Sequence, residues 1–372
     1  MKIRPVLIVF LSLLVLVHGY VGLRLLPWLP LPLAVLGGVW LALSCLLMPM
    51  VPRFWRTHHP LLAWLSTLSM GMFSWFFVLT LLRDVGLGLW GVLGGEASDR
   101  ITALTAQGVA GAALLATLLG LFFARRTAPV KDVDIRLPDL PPALDGFTIV
   151  QLSHIHVGPT IKGDYLEAIV TRVNSLNADA VAITGDLVDG SVRELAEHTA
   201  PLARLQARHG VFFVTGNHEY YSGALPWIDE LRRLGLTVLL NEHVALDHDG
   251  HPVTLAGVTD YSGHLFHEDH RSDPHAALAG APAHGPKVLL AHQPRSAKAA
   301  AEAGFHVQLS GHTHGGQFWP WNHFVPLQQP FVAGLRQWGE LQVYTSRGTG
   351  YWGPPMRFGA PSEITRVRLR RG

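Results

Sequence analysis

The chain contains little cysteine and little charge for its length. Its one cysteine, Cys45, excludes an intrachain disulfide and a metal site built from several thiolates. Only 15% of the 372 residues are charged and the mean hydropathy is +0.26, which is too apolar for an ordinary soluble protein. The basic residues form no stripe, so we expect no nucleic acid among the partners.

The charged residues and histidines that are present lie mostly in the C-terminal two thirds. Residues 1–124 hold only 7 of the 29 Lys and Arg and 3 of the 27 Asp and Glu. Of the 21 histidines, 18 come after this apolar part. Because histidine is the commonest metal ligand, metal chemistry is expected in the C-terminal part.

Four segments near the N-terminus are long and apolar enough to cross a bilayer core of about 30 Å. They are Pro5–Leu23, Leu31–Met50, Leu61–Leu82 and Ile101–Ala124. No carboxylate lies within these bounds, which argues against an ion pathway through them. We therefore predict a four-helix transmembrane anchor over residues 1–126, in contact with a lipid bilayer.

The positions of the basic residues predict the orientation of this anchor. Basic side chains precede the first span, lie between the second and third, and follow the fourth: Lys2, Arg4, Arg53, Arg56, Arg125, Arg126 and Lys131. The other two loops carry fewer, and acidic residues offset some of them. We expect an integral protein of a bacterial inner membrane with its C-terminal domain in the cytoplasm.

After the apolar part, short apolar runs alternate with helical stretches. Phe147–Leu152 is typical of a buried strand, Tyr165–Leu176 of an amphipathic helix and Ala180–Thr184 of a second strand. Further helices are predicted over Val192–Gln206 and Pro226–Leu234, and further strands over Val211–Thr215, Val238–Leu240, Val253–Ala256, Lys287–Ala291, His306–Leu309, Leu341–Thr345 and Ile364–Leu369. Strand–helix units followed by strand-rich sequence favour an α/β fold with two packed sheets and helices outside. Residues 127–146 are predicted to be a linker and a first strand, followed by one domain over residues 147–372.

Five polar clusters follow predicted strands. They are Ser153-His154-Ile155-His156, Gly185-Asp186-Leu187-Val188-Asp189, Gly216-Asn217-His218-Glu219, Ala291-His292-Gln293-Pro294 and Gly311-His312-Thr313-His314. Strand ends of an open α/β sheet meet at a ligand crevice, so the clusters should converge. Two divalent cations need oxygen and imidazole ligands and a bridging carboxylate, for which Asp186 is suited. His218, beside a ligand, is suited to protonate a leaving oxygen.

These clusters resemble the motifs of the calcineurin-like metallophosphoesterase superfamily: Asp-x-His, Gly-Asp-x-x-Asp, Gly-Asn-His-Asp/Glu, His and Gly-His-x-His. The resemblance covers about Phe147–Leu369, and the flanking sequence is similar to a bacterial membrane-associated branch and to animal transmembrane metallophosphoesterases. It implies a four-layer α/β/β/α sandwich after the transmembrane helices. It also implies two divalent metal ions, with Mn, Zn or Fe expected, and hydrolysis of phosphate esters or pyrophosphates.

The resemblance carries roles to individual residues. Metal 1 would be held by His154, His156, Asp186 and His314, and metal 2 by Asp186, Asn217, His292 and His312. His218 would be the catalytic histidine, while Asp189 and Glu219 would orient ligands. Arg347 and Arg357, in glycine-rich segments, are weaker candidates for clamping a substrate phosphate.

His154 departs from the family pattern, which has Asp at this position. In one interpretation the imidazole replaces the carboxylate as a ligand, which removes a negative charge and favours zinc, iron or other borderline metals over magnesium. In the other, metal 1 is weakly held and the domain is a catalytically impaired scaffold or sensor that binds metal or phosphate.

The leading functional hypothesis is a membrane-anchored phosphoesterase that hydrolyses a phosphodiester or pyrophosphate. A lipid-linked substrate is one candidate, suggested by the anchor and by the aromatic residues Trp319 and Trp321 after the last motif. The alternatives are the impaired scaffold or sensor and a protein phosphatase. The sequence does not name the substrate or the oligomeric state.

Overall fold

The computed structural model describes residues 5–56 and 59–372. Lys2 and Arg4, which contribute to the predicted orientation, lie outside the described residues. The chain divides into two compact units. The helical unit comprises Met1–Phe122 and Gly353–Met356, and the sheet unit comprises Phe123–Trp352 and Arg357–Gly372.

Among the described residues before residue 126, most are helical. The helices are α1 (Pro5–Leu25), α2 (Leu31–Leu47), α3 (Val51–Arg56), α4 (Pro60–Val92) and α5 (Asp99–Arg125). By length and composition, four stretches could cross a membrane: Pro5–Trp28, Leu31–Phe54, Pro60–Val92 and Asp99–Arg125. Many of their large apolar side chains point outward, including Leu23, Leu31 and Leu36. Such exposure is costly in water and suits a lipid environment.

Helix α4 continues beyond the end predicted for the third span and carries Arg83 and Asp84. The Asp84 carboxylate accepts hydrogen bonds from the Tyr20 hydroxyl at 2.7 Å and from Arg24 Nε at 2.7 Å. Because the charges are paired, they are compatible with an uninterrupted helix in an apolar unit. The predicted span Leu61–Leu82 contains no carboxylate, as expected. The complete helix α4 does contain one, Asp84.

The sheet unit is built from strands and helices in alternation. Its strands are β1 (Val130–Leu137), β2 (Thr148–Leu152), β3 (Ala180–Thr184), β4 (Val211–Val214), β5 (Thr237–Val238), β6 (Glu242–His248), β7 (His251–Gly257), β8 (Lys287–Leu290), β9 (Val307–Ser310), β10 (Gly334–Trp338), β11 (Leu341–Thr345) and β12 (Ile364–Arg371). Its helices are α6 (Gly163–Asn174), α7 (Val192–Thr199), α8 (Asn217–Ser222), α9 (Ala224–Arg233), α10 (Pro274–Leu278) and α11 (Ala297–Ala303).

These strands form two six-stranded sheets. The first has the order β1-β12-β2-β3-β4-β5 and the second the order β10-β11-β9-β8-β7-β6. Strands β2 to β5 are parallel, as are β7, β8, β9 and β11. Antiparallel strands β6 and β10 lie at the two edges of the second sheet. The parallel strands at the centre therefore end together, which is where the polar clusters follow.

Alternate residues of each central strand enter two different cores. In β2, Ile149 lies in the core between the sheets, while Val150 packs with Ile169 of α6 and Trp227 of α9. On the outer side of the second sheet, Leu289 packs with small residues of α10 and α11. Burial on both faces explains why these strands are almost continuously apolar. The predicted four-layer α/β/β/α sandwich is confirmed.

Most predicted elements of the sheet unit occur, and the differences lie at the ends and edges. The helix predicted over Val192–Gln206 is shorter, because α7 ends at Thr199 and a 3-10 turn over Ala200–Arg204 follows. Pro201 lacks the backbone N–H that a continuing helix needs. Strands β6 and β10 were not predicted, since edge strands expose polar residues and lack a continuous apolar run.

Candidate metal centre

The predicted ligands lie at one edge of the sheet unit. Some follow β2, β3 and β4 of the first sheet, and the others follow β8 and β9 of the second. Loops after parallel strands meet at the same edge. The structure brings all seven together: His154, His156, Asp186, Asn217, His292, His312 and His314.

The backbone at five of these residues is left-handed. The φ angle lies between 52° and 68° at His154, His156, Asp186, His312 and His314. Residues other than glycine seldom adopt this conformation, because it costs of order 1–3 kcal/mol. Such strain persists only where the surrounding structure imposes it, and it concentrates at functional sites. The backbone geometry thus marks the cluster as a site independently of its side-chain chemistry.

Two glycines allow the ligand loops to approach closely. Gly185 has a φ of +79°, and a Cβ there would lie 2.6 Å from Nδ1 of His292. At Gly311 a Cβ would lie 2.1 Å from Oγ of Ser153 and 2.5 Å from Cε1 of His154. A larger residue at either position would push the ligand loops apart.

Four ligand atoms form what we call the metal-2 set: Asp186 Oδ2, Asn217 Oδ1, His292 Nε2 and His312 Nδ1. The His292 Nε2 atom lies 3.2 Å from each of the other three. An ion with bonds of about 2.1 Å and tetrahedral angles separates its ligand atoms by about 3.4 Å. The three separations from His292 Nε2 are therefore close to those around one divalent cation.

The neighbours of two histidines direct one ring nitrogen of each into the metal-2 set. Nδ1 of His292 lies 2.8 Å from the carbonyl oxygen of Thr184, which can only accept, so Nδ1 carries a proton and Nε2 faces the set. When the Gln329 amide takes the orientation that satisfies its neighbours, its oxygen accepts from Nε2 of His312 at 3.3 Å. That bond leaves the Nδ1 lone pair of His312 for a metal. The residues present fit a cation here.

The metal-1 set consists of His154, His156, Asp186 and His314. Nε2 of His156 lies 3.1 Å from Nε2 of His314, and Nε2 of His154 lies 3.3 Å from Oδ2 of Asp186. The spacing again suits a cation. Nε2 of His154 is fully buried without a hydrogen-bond partner. A buried imidazole nitrogen without a partner is costly, and a cation would satisfy it.

Asp186 is shared by both sets. Its Oδ2 atom lies between Nε2 of His154 at 3.3 Å and Nε2 of His292 at 3.2 Å. Its Oδ1 atom accepts from the backbone N–H of His218 at 2.9 Å, which fixes the carboxylate. This is the geometry expected of a carboxylate that bridges two cations.

Arg357 lies behind the metal-1 set and not in an open cleft. It is 1% exposed, and it donates to the carbonyl oxygens of Gly350, His314 and Arg347. Its second terminal nitrogen lies 3.0 Å from Nδ1 of His314. These contacts favour a role in holding a ligand loop over the predicted contact with a substrate phosphate.

The contact between Arg357 and His314 also affects the metal-1 set. Because a guanidinium can only donate, the proton of a neutral His314 lies on Nε2, the nitrogen that faces the set. Binding a metal there requires His314 to lose this proton or Arg357 to turn away. Arg347, the other candidate for substrate binding, pairs with Glu363 at 3.4 Å and keeps its side chain 31% exposed.

His218 and Asp189 form a hydrogen-bonded pair beside the ligands. Nδ1 of His218 lies 2.5 Å from Oδ1 of Asp189, and Nδ1 of His156 lies 3.2 Å from Oδ2 of the same carboxylate. Burial disfavours the charged imidazole, but the carboxylates of Asp186 and Asp189 raise the pKa of His218 to about 10. His218 therefore holds a proton at neutral pH, with Nδ1 committed to Asp189. The same three residues, His156, Asp189 and His218, form a further group close enough to hold a cation.

Three of the candidate ligand histidines differ in charge from His218. Burial lowers the pKa values of His154 and His314 well below the ordinary range, and together with His292 it lowers that of His312 to about 3. These rings are neutral, which is the form that binds metals. Burial also opposes charge on His292, but Asp186 raises its pKa to about 9. A cation in the metal-2 set would replace the proton on Nε2 of His292.

Glu219 organises the backbone under the ligands. Its fully buried carboxylate accepts from the N–H groups of Gly216 at 2.6 Å, Asp186 at 2.9 Å and Leu187 at 2.8 Å. It thereby joins the loop after β3 to the start of α8. Burial and the nearby Asp186 carboxylate raise the pKa of Glu219 to about 7.

Several residues near the site had no role assigned from the sequence. Ser153 lies 2.6 Å from Nδ1 of His154, and Gln329 is the neighbour of His312. Tyr221 and Trp352 lie against the His218 ring. Ser153 stands inside a motif and could have been suspected. Gln329 and Trp352 are distant in sequence from the residues they contact, so only the fold reveals them.

The geometry agrees with comparisons to known proteins. A family profile for calcineurin-like phosphoesterases matches residues 147–316. A Danio rerio "transmembrane protein with metallophosphoesterase domain" is 39% identical over 259 residues, covering 68% of this chain and 59% of that protein. An uncharacterized metallophosphoesterase of Helicobacter pylori strain J99 is 40% identical over 242 residues, covering 64% and 63%. One from Aquifex aeolicus is 30% identical over 260 residues, covering 69% of this chain and 98% of that protein.

The chain belongs to the calcineurin-like metallophosphoesterase family. The predicted resemblance to this family is thus confirmed. The family typically binds two metal ions, and this metallophosphoesterase has histidine and aspartate groups that could hold them. The chain spans about three fifths of the length of the zebrafish and Helicobacter relatives.

Proposed function

We propose that this metallophosphoesterase is a membrane-anchored enzyme with two metal ions that hydrolyses a phosphodiester or pyrophosphate. The observation that carries the proposal is the sharing of Asp186 between two sets of ligand atoms, with separations of 3.2 and 3.3 Å from its Oδ2 atom. A structural role for so many buried imidazoles around one carboxylate would leave polar atoms without partners, such as Nε2 of His154.

The residues of the chain have separate parts in this proposal. Bound divalent cations would activate a water molecule and neutralise charge on the phosphoryl oxygens. His154, His156 and His314 would hold one cation, Asn217, His292 and His312 would hold the other, and Asp186 would belong to both sets. His218 donates the proton from Nε2 to the leaving oxygen, because its Nδ1 is engaged by Asp189 at 2.5 Å. Glu219 holds the loops that carry Asp186 and Asn217 next to each other through its bonds to their backbone.

We propose that the anchor places the enzyme in a bacterial inner membrane with its catalytic domain in the cytoplasm. The four apolar helices and relatives named as transmembrane proteins support membrane attachment. The distribution of basic residues supports the orientation. A membrane location makes a lipid-linked phosphate ester a plausible substrate class.

The test is metal content and turnover of the full-length protein in lipid nanodiscs. We expect about two metal ions per chain and hydrolysis of bis-p-nitrophenyl phosphate with manganese or zinc. His312→Ala should lose one ion and nearly all turnover, because it removes a metal-2 ligand. His275→Ala is the matched control, since His275 is an exposed histidine on α10 of the same unit.

Other outcomes identify the alternatives. Stable metal binding without turnover of any ester would indicate the scaffold or sensor instead of an enzyme. Faster turnover of phosphopeptides than of diesters and pyrophosphates would indicate a protein phosphatase. No metal above the level of the His312→Ala variant would overturn the proposal.

A further inference from the structure

Three large aromatic side chains lie exposed in a row beside His218. Tyr221 is 64% exposed, Phe266 47% and Trp352 49%. The Tyr221 ring lies 5.3 Å from the His218 ring on one side and 5.6 Å from the Phe266 ring on the other. The Trp352 ring lies 5.5 Å from the His218 ring. A contiguous exposed patch of this kind usually marks a binding surface.

Trp352 is held in this position by its backbone. Its N–H donates to Oε1 of Gln317 at 2.9 Å, and its carbonyl oxygen accepts from Nε2 of Gln317 at 2.8 Å. Gln317 is buried and follows the last metal-binding motif. The Trp352 ring is therefore set beside His218 by the same loop that carries His314.

The segment that carries Phe266 is held from beneath. The buried Tyr220 hydroxyl lies 2.8 Å from Nδ1 of His270, and the Thr259 hydroxyl donates to the carbonyl oxygen of His270 at 3.0 Å. The Tyr220 ring also lies 5.7 Å from the Phe266 ring. The exposure of Phe266 thus belongs to a built surface, because the segment under it is packed and hydrogen-bonded.

The position of the row relative to His218 indicates its occupant. Nδ1 of His218 is bonded to Asp189, so the ring offers Nε2 to a substrate. The proposed function makes that nitrogen the proton donor to the leaving oxygen. Whatever is attached to the leaving oxygen then lies beside His218, where Tyr221 and Trp352 flank the ring. Aromatic rings bind apolar and flat groups well.

We propose that Tyr221, Phe266 and Trp352 form a subsite for an apolar or aromatic group attached to the leaving oxygen of the substrate. The inference rests on the proposed function, which places the leaving group at His218. Two kinds of organic group have the apolar surface that such a subsite would bind: a hydrocarbon chain, as in a lipid, and a flat ring, as in a nucleobase. Both would be bound through dispersion and removal of apolar surface from water.

The test is calorimetric binding of phosphate monoesters to the manganese-loaded, full-length protein in nanodiscs. In a monoester the organic group can occupy only the leaving-group side. The probes are inorganic phosphate, methyl phosphate, hexyl phosphate and phenyl phosphate. We expect phenyl or hexyl phosphate to bind roughly tenfold tighter than methyl phosphate. A stronger gain for hexyl indicates a chain, and a stronger gain for phenyl indicates a flat ring.

Amino-acid substitutions test whether the exposed aromatic side chains cause the tighter binding of phenyl or hexyl phosphate. In Tyr221→Ser and Trp352→Ser, phenyl or hexyl phosphate should bind at most about threefold tighter than methyl phosphate, instead of about tenfold. The affinity for inorganic phosphate should not change. Tyr221→Phe should keep the preference over methyl phosphate, which separates loss of the ring from disturbance of α8. Trp338→Ser is the control, because Trp338 is a 39% exposed tryptophan on β10.

The outcomes separate this inference from the proposed function. Equal binding of all three esters, or a preference that survives both serine variants, overturns the subsite. Absence of turnover of bis-p-nitrophenyl phosphate with the phenyl or hexyl preference intact contradicts the proposed enzyme and leaves a subsite for the organic group of a bound phosphate ester. Absence of binding by every phosphate overturns both.

Discussion

The hydroxyl oxygen of Ser153 lies 2.6 Å from Nδ1 of His154. The same hydroxyl lies 3.3 Å from the carbonyl oxygen of Thr184, which can only accept. If the hydroxyl donates to Thr184, it can accept from Nδ1 of His154, but the backbone N–H of His312 also donates to this Nδ1 at 3.3 Å. Nε2 of His154 can bind a cation in the metal-1 set only when the proton lies on Nδ1. Ser153 therefore favours, and the N–H of His312 opposes, the tautomer in which an imidazole can serve where the family has a carboxylate.

The first prediction concerns His154→Asp. A carboxylate restores the family motif and the missing negative charge. We therefore expect tighter binding of metal 1 and a shift of its preference toward manganese and magnesium. Metal content after dialysis and turnover with each metal measure the effect. His154→Asn is the control, because it shortens the side chain without adding charge. An unchanged metal content and metal preference in the His154→Asp variant would show that position 154 does not contact metal 1.

The second prediction concerns His218→Asn. The amide keeps the backbone N–H bond to Asp186 and removes the proton donor, so kcat should fall by about 10²–10⁴-fold. Metal content should stay at the wild-type value, since His218 is not in either proposed set. Steady-state kinetics and elemental analysis on the same preparation measure both. A loss of one ion with the loss of activity would place His218 among the ligands, in the group it forms with His156 and Asp189.

The sequence predicted which candidate ligands would lie together better than it predicted the residues around them, and the reason is physical. Candidate ligands such as Asp186 and His312 follow strands directly, so a short local pattern contains them. Gln329 and Trp352 contact the site through long loops whose path the local pattern does not determine. Arg357, in contrast, was singled out by the sequence but is less accessible than its sequence setting suggests. Its glycine-rich setting suggested an accessible phosphate clamp, but the fold buries its guanidinium on three carbonyl oxygens.

The fold was predictable for a similar reason. Central strands such as β3 are buried on both faces, so their apolar runs are visible in the sequence. Helix α4 was predicted too short because Arg83 and Asp84 resemble the end of a span. The pairing of Asp84 with Tyr20 and Arg24 depends on a neighbouring helix, and no pattern within α4 indicates it.

The third prediction concerns the order of metal binding. In the metal-2 set a cation would replace the proton on Nε2 of His292, whose Nδ1 already bonds to Thr184. In the metal-1 set His314 cannot offer Nε2 as a neutral ligand until its contact with Arg357 at 3.0 Å is broken. Calorimetric titration of chelator-treated protein with zinc should therefore show one tight step and one weaker step. Asn217→Ala should weaken the tight step and His156→Ala only the weak one. Two equal steps in the wild type, or the reverse pattern in the variants, would contradict the assignment.

The fourth prediction concerns Glu219→Gln. An amide cannot accept from every N–H that the carboxylate now satisfies, so at least one buried donor loses its partner at a cost of about 1–3 kcal/mol. We expect a lower melting temperature of the sheet unit even in chelator, because the bonds from Gly216, Asp186 and Leu187 do not involve metal. Differential scanning fluorimetry of the full-length protein in nanodiscs measures this. Glu197→Gln, an exposed glutamate on α7, is the control and should melt like the wild type. A Glu219→Gln variant that melts normally in chelator and loses only metal-dependent stabilisation would show instead that Glu219 acts through the bound ions.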